Sequence, residues 1–167
     1  MHILITGASG LIGKSLIHAL EQRDYRISTL STSKRSAPIS TNVKTYQWNP
    51  NQGIIDEKAL DRVDVIISLA GAKINQRWTK KNRKAIFDSR VKGTQLIQNA
   101  LKNNPNHNVS HFVSASAVGL YPSDFNKIYS ESEIKVAESF TGKVVAAWEQ
   151  QVDEMSSLVA HVSKIRI

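Results

Sequence analysis

Residues 3–13 read Ile-Leu-Ile-Thr-Gly-Ala-Ser-Gly-Leu-Ile-Gly, so that an apolar run is followed at once by three glycines spaced Gly-x-x-Gly-x-x-Gly. The apolar run predicts a buried strand, and the apolar residues that recur every 3–4 positions over residues 10–22 predict a helix. In this setting Gly7 permits the tight turn, Gly10 lets the main chain approach a pyrophosphate, and Gly13 lets the helix pack closely on the sheet. Since a helix start offers free N–H groups and the positive end of its dipole to an anion, the stretch predicts a dinucleotide-binding turn.

Strand and helix patterns alternate along the rest of the chain. The predicted strands are residues 3–6, 26–31, 43–48, 63–69, 109–115 and 160–167, and the predicted helices are residues 10–22, 79–101 and 140–155, with Thr79 as the N-cap of the second helix. This alternation implies right-handed crossovers and one α/β domain over residues 1–167. The expected architecture is a three-layer α/β/α Rossmann fold, a doubly wound parallel sheet with strand order 3-2-1-4-5-6.

The composition is that of an ordinary globular domain, with 41% hydrophobic and 22% charged residues among 167. No apolar run is long enough for a membrane span, and the first residues do not have the form of a signal peptide. The chain has no cysteine, which excludes a disulfide framework and a thiolate metal site and suits a cytoplasmic setting. Its five histidines do not have the spacing of metal ligands, so no metal is expected.

The net charge of +8 leaves nucleic-acid binding open as a function. The basic residues are scattered, however, apart from short clusters at residues 34–35 and 80–84, and no recognised nucleic-acid motif accompanies them. We interpret the charge as a solvated helix face, or as half of a protein whose other half is acidic. No nucleic-acid or membrane partner is predicted.

The residues that follow the second strand indicate which dinucleotide binds. An NAD site usually places Asp or Glu there, on the ribose 2′-hydroxyl, whereas this chain has Ser31, Thr32, Ser33, Lys34 and Arg35. No carboxylate in this run repels a 2′-phosphate, and its hydroxyls and two cations can bind one. The run predicts NADP as the cofactor; the alternative is that Lys34 and Arg35 belong to a basic surface loop.

The later motifs resemble those of one protein family. They are the run Asp64–Gly71 that ends in Ala-Gly, Arg77-Trp78-Thr79, Ser89-Arg90 followed by Thr94, the run Ser116–Tyr121, and Trp148-Glu149. With the glycine turn they resemble atypical short-chain dehydrogenase/reductases, and within these the YfcH-like epimerase family proteins, relatives of NAD-dependent epimerases and dehydratases. The match runs over essentially the whole chain. Members of that group are usually longer, so the resemblance implies a C-terminal substrate-binding portion that these residues do not include.

The resemblance also implies which residues contact the cofactor. They are Gly7, Gly10, Leu11, Ile12 and Gly13 in the turn, Ser31 and Thr32 near the 2′-phosphate, Leu69, Ala70 and Gly71 along the dinucleotide, and Arg90. The guanidinium of Arg90 can reach phosphate or ribose. The alternative is an exposed helix arginine.

Hydride transfer in this superfamily uses a serine, a tyrosine and a lysine four residues after the tyrosine. Ser116 is the candidate serine, and Ser114 beside it is a candidate cofactor contact, because α/β sheets bind ligands at the carboxyl ends of their strands. The alternative is that Ser116 is a strand-end serine satisfied by the main chain.

The tyrosine and lysine are missing. When the chain is aligned on Trp148-Glu149, Phe140 and Val144 occupy their positions, and neither side chain can carry a proton. Tyr121 is the tyrosine nearest to the predicted site, so it is the candidate acid/base; a structural role for its ring is the alternative.

Two functions therefore stay open. The first is the NADP-binding domain of an oxidoreductase or epimerase that acts on a small or nucleotide-linked substrate, and the second is a non-catalytic NADP-binding sensor or partner-binding module. In either case we expect this chain alone to bind cofactor and to turn over nothing. A homodimer is compatible with the resemblance, but the helix patterns do not decide it.

Overall fold

The computed structural model describes residues 1–33, 40–133 and 135–167. The strands are β1 His2–Thr6, β2 Arg26–Ser31, β3 Val43–Asn49, β4 Ile54–Ile55, β5 Val65–Ser68, β6 His111–Ser116 and β7 His161–Arg166. The helices are α1 Leu11–Glu21, α2 Lys80–Lys102 and α3 Phe140–Asp153, and short 3-10 turns cover Glu57–Leu60, Val118–Leu120 and Glu154–Ser157.

The strands form one sheet in the order β4-β3-β2-β1-β5-β6-β7. All neighbours are parallel except β3 and β4, which pair antiparallel through two residues of each strand. The predicted fold class and the order of its six strands are confirmed. The edge strand β4 was not predicted, because two residues are too few to show the alternation that marks a strand.

The helices cover the two faces of the sheet. Alternate side chains of β1 point to opposite faces, so Ile3 and Ile5 pack with Ile17 of α1, whereas Leu4 packs in the larger core beneath α2 and α3. Phe112 in β6 is fully buried in that larger core. This layering leaves the carboxyl ends of β1, β2, β5 and β6 on one edge of the sheet. The candidate site residues within the described ranges lie on or just after this edge or on a helix beside it.

The starts of α2 and α3 are closed by side chains. Thr79 accepts a hydrogen bond from the main-chain N of Asn82 at 3.2 Å, which confirms the predicted N-cap, and Ser139 accepts one from Gly142 at 3.1 Å. Of the helices in the described part of the chain, none combines the length and the apolar composition that a membrane span requires.

Candidate functional site

The glycine turn between β1 and α1 is too tight for side chains. Gly7 has a φ of +70°, and a Cβ there would lie 2.6 Å from the carbonyl carbon of Leu69. At Gly13 a Cβ would lie 2.5 Å from the carbonyl oxygen of Gly7. Glycine at these two positions therefore brings the end of β1, the start of α1 and the end of β5 within contact distance.

The start of α1 differs from the starts of α2 and α3. Gly10 is its N-cap, and among the described residues no side chain accepts a hydrogen bond there. Lys14 donates its main-chain N–H to the carbonyl of Gly10, so the N–H groups of Leu11, Ile12 and Gly13 precede the first α-helical bond. They are the donors that a helix start leaves for an anion, and no acidic residue in the first turn opposes one.

A groove of about 1080 Å³ lies beside this helix start. Of the predicted cofactor contacts, Gly7, Ser31, Thr32, Ala70 and Gly71 line it. The other described ones are not among its lining residues: Gly10, Leu11, Ile12, Gly13, Leu69, Arg90 and Ser114. The groove is also lined by residues that the sequence reasoning missed, among them Ser9, Lys14, His18, Glu21, Thr29, Thr45, Pro50, Asn51 and Ser89. Lys34 and Arg35 lie outside the described residues.

The spacing of the missed residues on α1 follows the helix. Lys14, His18 and Glu21 recur at intervals of four and three residues, so they share the face of α1 that borders the groove. This spacing was visible in the sequence. Without knowledge of which face packs on the sheet, however, a polar stripe of this kind is indistinguishable from a solvated helix surface.

The segment that leaves β5 forms one side of the groove and is held by side chains. The hydroxyl of Thr6 accepts hydrogen bonds from the main-chain N of Leu69 and of Ala70, both at 3.1 Å. The hydroxyl of Ser89 accepts one from Ala72 at 2.9 Å, and Arg90 donates Nη1 to the Ala72 carbonyl at 3.3 Å. The predicted contacts Ala70 and Gly71 therefore have a fixed main chain.

Arg90 is half-buried rather than an exposed helix arginine. Its Nη1 also donates to the carbonyl of Ile86 at 3.1 Å, and its guanidinium lies 5.4 Å from the ring centroid of Trp148. Burial lowers the pKa of Arg90 from its usual value. The structure therefore places this predicted cofactor contact against the main chain after β5.

Ser116 and Tyr121 belong to a second constellation at the same edge of the sheet. The hydroxyl of Ser116 donates to Oε1 of Glu149 at 2.5 Å. Arg166 donates two hydrogen bonds to the same carboxylate, from Nε to Oε1 and from Nη2 to Oε2, each at 2.8 Å. Its Nη1 donates to the phenol oxygen of Tyr121 at 2.5 Å. We call Ser116, Tyr121, Glu149 and Arg166 the hydroxyl cluster.

The charges of the hydroxyl cluster stabilise each other. Burial raises the pKa of the Glu149 carboxyl, but the hydrogen bonds from Arg166 and Ser116 outweigh it and hold that pKa below its usual value. The hydrogen bond to Glu149 raises the pKa of Arg166. Both groups are therefore ionised at neutral pH, and the Glu149 side chain is only 8% exposed.

The two candidate hydroxyls both donate hydrogen bonds to acceptors within the protein. Ser116 donates to Glu149, and Tyr121 donates to the carbonyl of Ser130 at 3.0 Å. Each retains lone pairs that can accept a hydrogen bond. Donation to a substrate requires that one of these internal bonds open first. Ser114 is fully buried, and its hydroxyl donates to the carbonyl of Ala115 at 2.8 Å.

Phe140 and Val144 pack against other parts of the protein. The Phe140 ring meets Trp78 edge-on at 5.3 Å between centroids, and the Arg83 guanidinium lies 5.3 Å from the Phe140 centroid. Val144 is 3% exposed. The structure therefore places apolar packing at the two positions where alignment on Trp148-Glu149 puts the tyrosine and the lysine of the superfamily.

Comparison with known proteins gives a family match and curated relatives that are themselves called epimerase family proteins. The family model described as NAD dependent epimerase/dehydratase family matches residues 3–142. The epimerase family protein SSP1921 of Staphylococcus saprophyticus is 33% identical over 162 residues, which are 96% of this chain and 52% of the relative. The chain thus spans about half the length of the curated relatives it matches.

Solved structures show the same fold. Human epimerase family protein SDR39U1, crystallised with NADPH, has a TM-score of 0.73 and 24% identity over 90% of this chain and 48% of its own. MoeE5 in complex with UDP-glucose and NAD has a TM-score of 0.80 and 19% identity over 99% of this chain and 54% of its own. These likenesses show the Rossmann fold.

Proposed function

The chain belongs to the NAD dependent epimerase/dehydratase family, and on that premise we propose that residues 1–167 are the NADP(H)-binding domain of an oxidoreductase or epimerase that acts on a small or nucleotide-linked substrate. The observation that carries the proposal is the start of α1. It has no side-chain cap among the described residues, has no acid in its first turn, and opens beside a groove large enough for a dinucleotide. A pyrophosphate suits a helix start that has free N–H donors and no negatively charged side chain in its first turn.

Ser31 and Thr32 support NADP(H) over NAD(H). They line the groove where β2 ends, the place at which this fold reads the ribose 2′-position. Lys14 and His18 line the same groove. Glu21 is the one carboxylate among the described lining residues, but it lies ten residues after Leu11, roughly 15 Å down the helix from the glycine turn.

The relatives are about twice as long as this chain. We propose that their remaining half carries the residues that select the substrate, and that this chain alone binds cofactor without turnover. The human neighbour was crystallised with NADPH and MoeE5 with NAD, so the fold serves both dinucleotides and the choice rests on local side chains.

A titration of the chain with NADPH and, separately, with NADH tests the proposal. We expect NADPH to bind at least about tenfold more tightly, a difference of about 1.4 kcal/mol. Ser31→Ala should reduce the preference for NADPH, and Ser156→Ala, in the 3-10 turn that follows α3, is its matched control. Tighter binding of NADH would reject the NADP assignment, and a folded chain that binds neither dinucleotide would reject the cofactor role.

A second candidate is a non-catalytic NADP(H) sensor. The observation that favours it is the hydroxyl cluster, in which Ser116 and Tyr121 have both committed their protons to internal acceptors. Ser116→Ala and Tyr121→Phe in a full-length protein with measurable turnover distinguish the two. Loss of turnover with retained NADPH affinity rejects the sensor.

A further inference from the structure

Side chains from two other elements hydrogen-bond to four main-chain polar groups of residues 69–72, the segment that leaves β5. Thr6 of β1 holds the N–H groups of Leu69 and Ala70, and Ser89 of α2 holds that of Ala72. Arg90 of α2 holds the Ala72 carbonyl. Thr6 thus acts from β1 at the start of this segment, and Ser89 and Arg90 act from α2 at its end.

Gly71 and Arg90 fit together. A Cβ at position 71 would lie 3.1 Å from the guanidinium carbon of Arg90, so the glycine leaves room for the guanidinium against the main chain. On the other side the guanidinium approaches the face of Trp148. A planar group with several donors suits this slot, and the single point charge of a lysine does not reproduce it.

The position of residues 69–72 in the sheet indicates which half of a dinucleotide they contact. The start of α1, which receives the pyrophosphate, follows the central strand β1, with β2 on one side and β5 on the other. The adenosine half with its 2′-phosphate extends over the end of β2, by Ser31 and Thr32. The nicotinamide half therefore extends over the end of β5.

We infer that Ser89 and Arg90 are positioning residues for the nicotinamide half of the cofactor, acting through the main chain of residues 70–72 rather than as phosphate ligands. The inference rests on the proposed function. The hydroxyl of Ser89 accepts a hydrogen bond from the N–H of Ala72 and donates one to the carbonyl of Ile86. Nη1 of Arg90 donates to the carbonyls of Ala72 and Ile86. The pair clamps this segment to α2 in the geometry that the cofactor meets.

The experiment compares two probes on the same chain: NADPH, which fills both halves of the site, and 2′,5′-ADP, which fills only the adenosine half. Ser89→Ala and Arg90→Met should each weaken NADPH about tenfold, the size expected when two net hydrogen bonds are lost, and 2′,5′-ADP by less than about twofold. Ser89→Ala is decisive because it removes no charge. Arg26→Met, at the opposite edge of the sheet, is the matched control and should change neither probe.

Arg90→Lys separates the clamp from a charge effect. It keeps the charge but loses the planar fork, so the clamp predicts a loss as large as that of Arg90→Met. Retained NADPH affinity in Arg90→Lys, an equal loss on both probes in Arg90→Met, or an unchanged Ser89→Ala would each overturn the inference. If Arg90→Met does not fold, the Ser89→Ala and Arg90→Lys results still decide it. A folded wild-type chain that binds neither probe would instead overturn the proposed function.

Discussion

The cofactor groove and the hydroxyl cluster lie at the same edge of one sheet and differ in how their hydrogen-bonding groups are used. At the start of α1, three main-chain N–H groups precede the first helical bond and no described side chain caps them. In the hydroxyl cluster, Ser116, Tyr121, Glu149 and Arg166 bond to one another. Unsatisfied donors beside a groove indicate a ligand-binding site. A network whose members bond to one another stabilises the fold, and its groups can bind a ligand only after one of the internal hydrogen bonds breaks.

The largest effect we expect comes from removing the carboxylate of the hydroxyl cluster. Glu149→Ala leaves Arg166 half-buried without its partner and should lower the free energy of unfolding by about 3 kcal/mol. Urea unfolding at pH 7 measures it. Glu133→Ala removes the partner of Lys127 in an exposed pair and should cost less than about 1 kcal/mol. Equal losses in the two variants would show that the network contributes no more than a surface ion pair.

The glycine turn should be the next most sensitive point. Gly7→Ala places a methyl group against the main chain of Leu69 and Ala70 in a left-handed conformation, and overpacking of this kind costs about 1–3 kcal/mol. NADPH binding should be lost with it. Gly53→Ala is the control, since Gly53 also has a positive φ but no atom within 4 Å of its built Cβ. A Gly7→Ala chain as stable as Gly53→Ala would contradict the close approach of β1 and β5.

A side-chain cap on α1 should stabilise the helix and weaken the binding of NADPH. Gly10→Asp puts a carboxylate where α2 has Thr79 and α3 has Ser139, so it should weaken NADPH by at least about tenfold. The backbone at Gly10, with φ −74°, suits a side chain. A Cβ there would lie 3.2 Å from the carbonyl oxygen of Gly7, a tight contact that needs a small shift of the turn, so the chain should stay folded. Thr79→Ala makes the opposite change at α2 and should cost about 1 kcal/mol of stability while leaving NADPH affinity unchanged. Unchanged NADPH affinity in Gly10→Asp would mean that the phosphates bind elsewhere.

The smallest effect we expect is a pH dependence from Glu149. Its pKa is lower in the folded chain than its usual value of 4.5, so its contribution to stability is present above that value and is lost as the pH falls through the folded value. The difference in unfolding free energy between the wild type and Glu149→Gln should therefore be constant near neutrality and shrink below about pH 4. Urea unfolding between pH 7 and 3 measures it, and a difference that grows on acidification would contradict the assignment.

Local patterns were enough for the glycine turn and for the Thr79 cap, because each depends on residues within a few positions of one another. The strand order followed from the alternation of elements. Glu149 and Arg166 were not paired in advance, because an ion pair between a helix and an edge strand leaves no periodic signal. The clamp by Ser89 and Arg90 was missed for the same reason, since it joins α2 to main chain seventeen and eighteen residues away.

The central claim is that the open start of α1 receives the cofactor phosphates. Amide resonances of the isotope-labelled chain, followed during titration with NADPH, test it most directly. The account predicts large, saturable shifts for the amides of Leu11, Ile12 and Gly13, and none for Lys58, whose N–H is already capped by Asp56 away from the groove. Saturable binding that leaves residues 11–13 unmoved would contradict it.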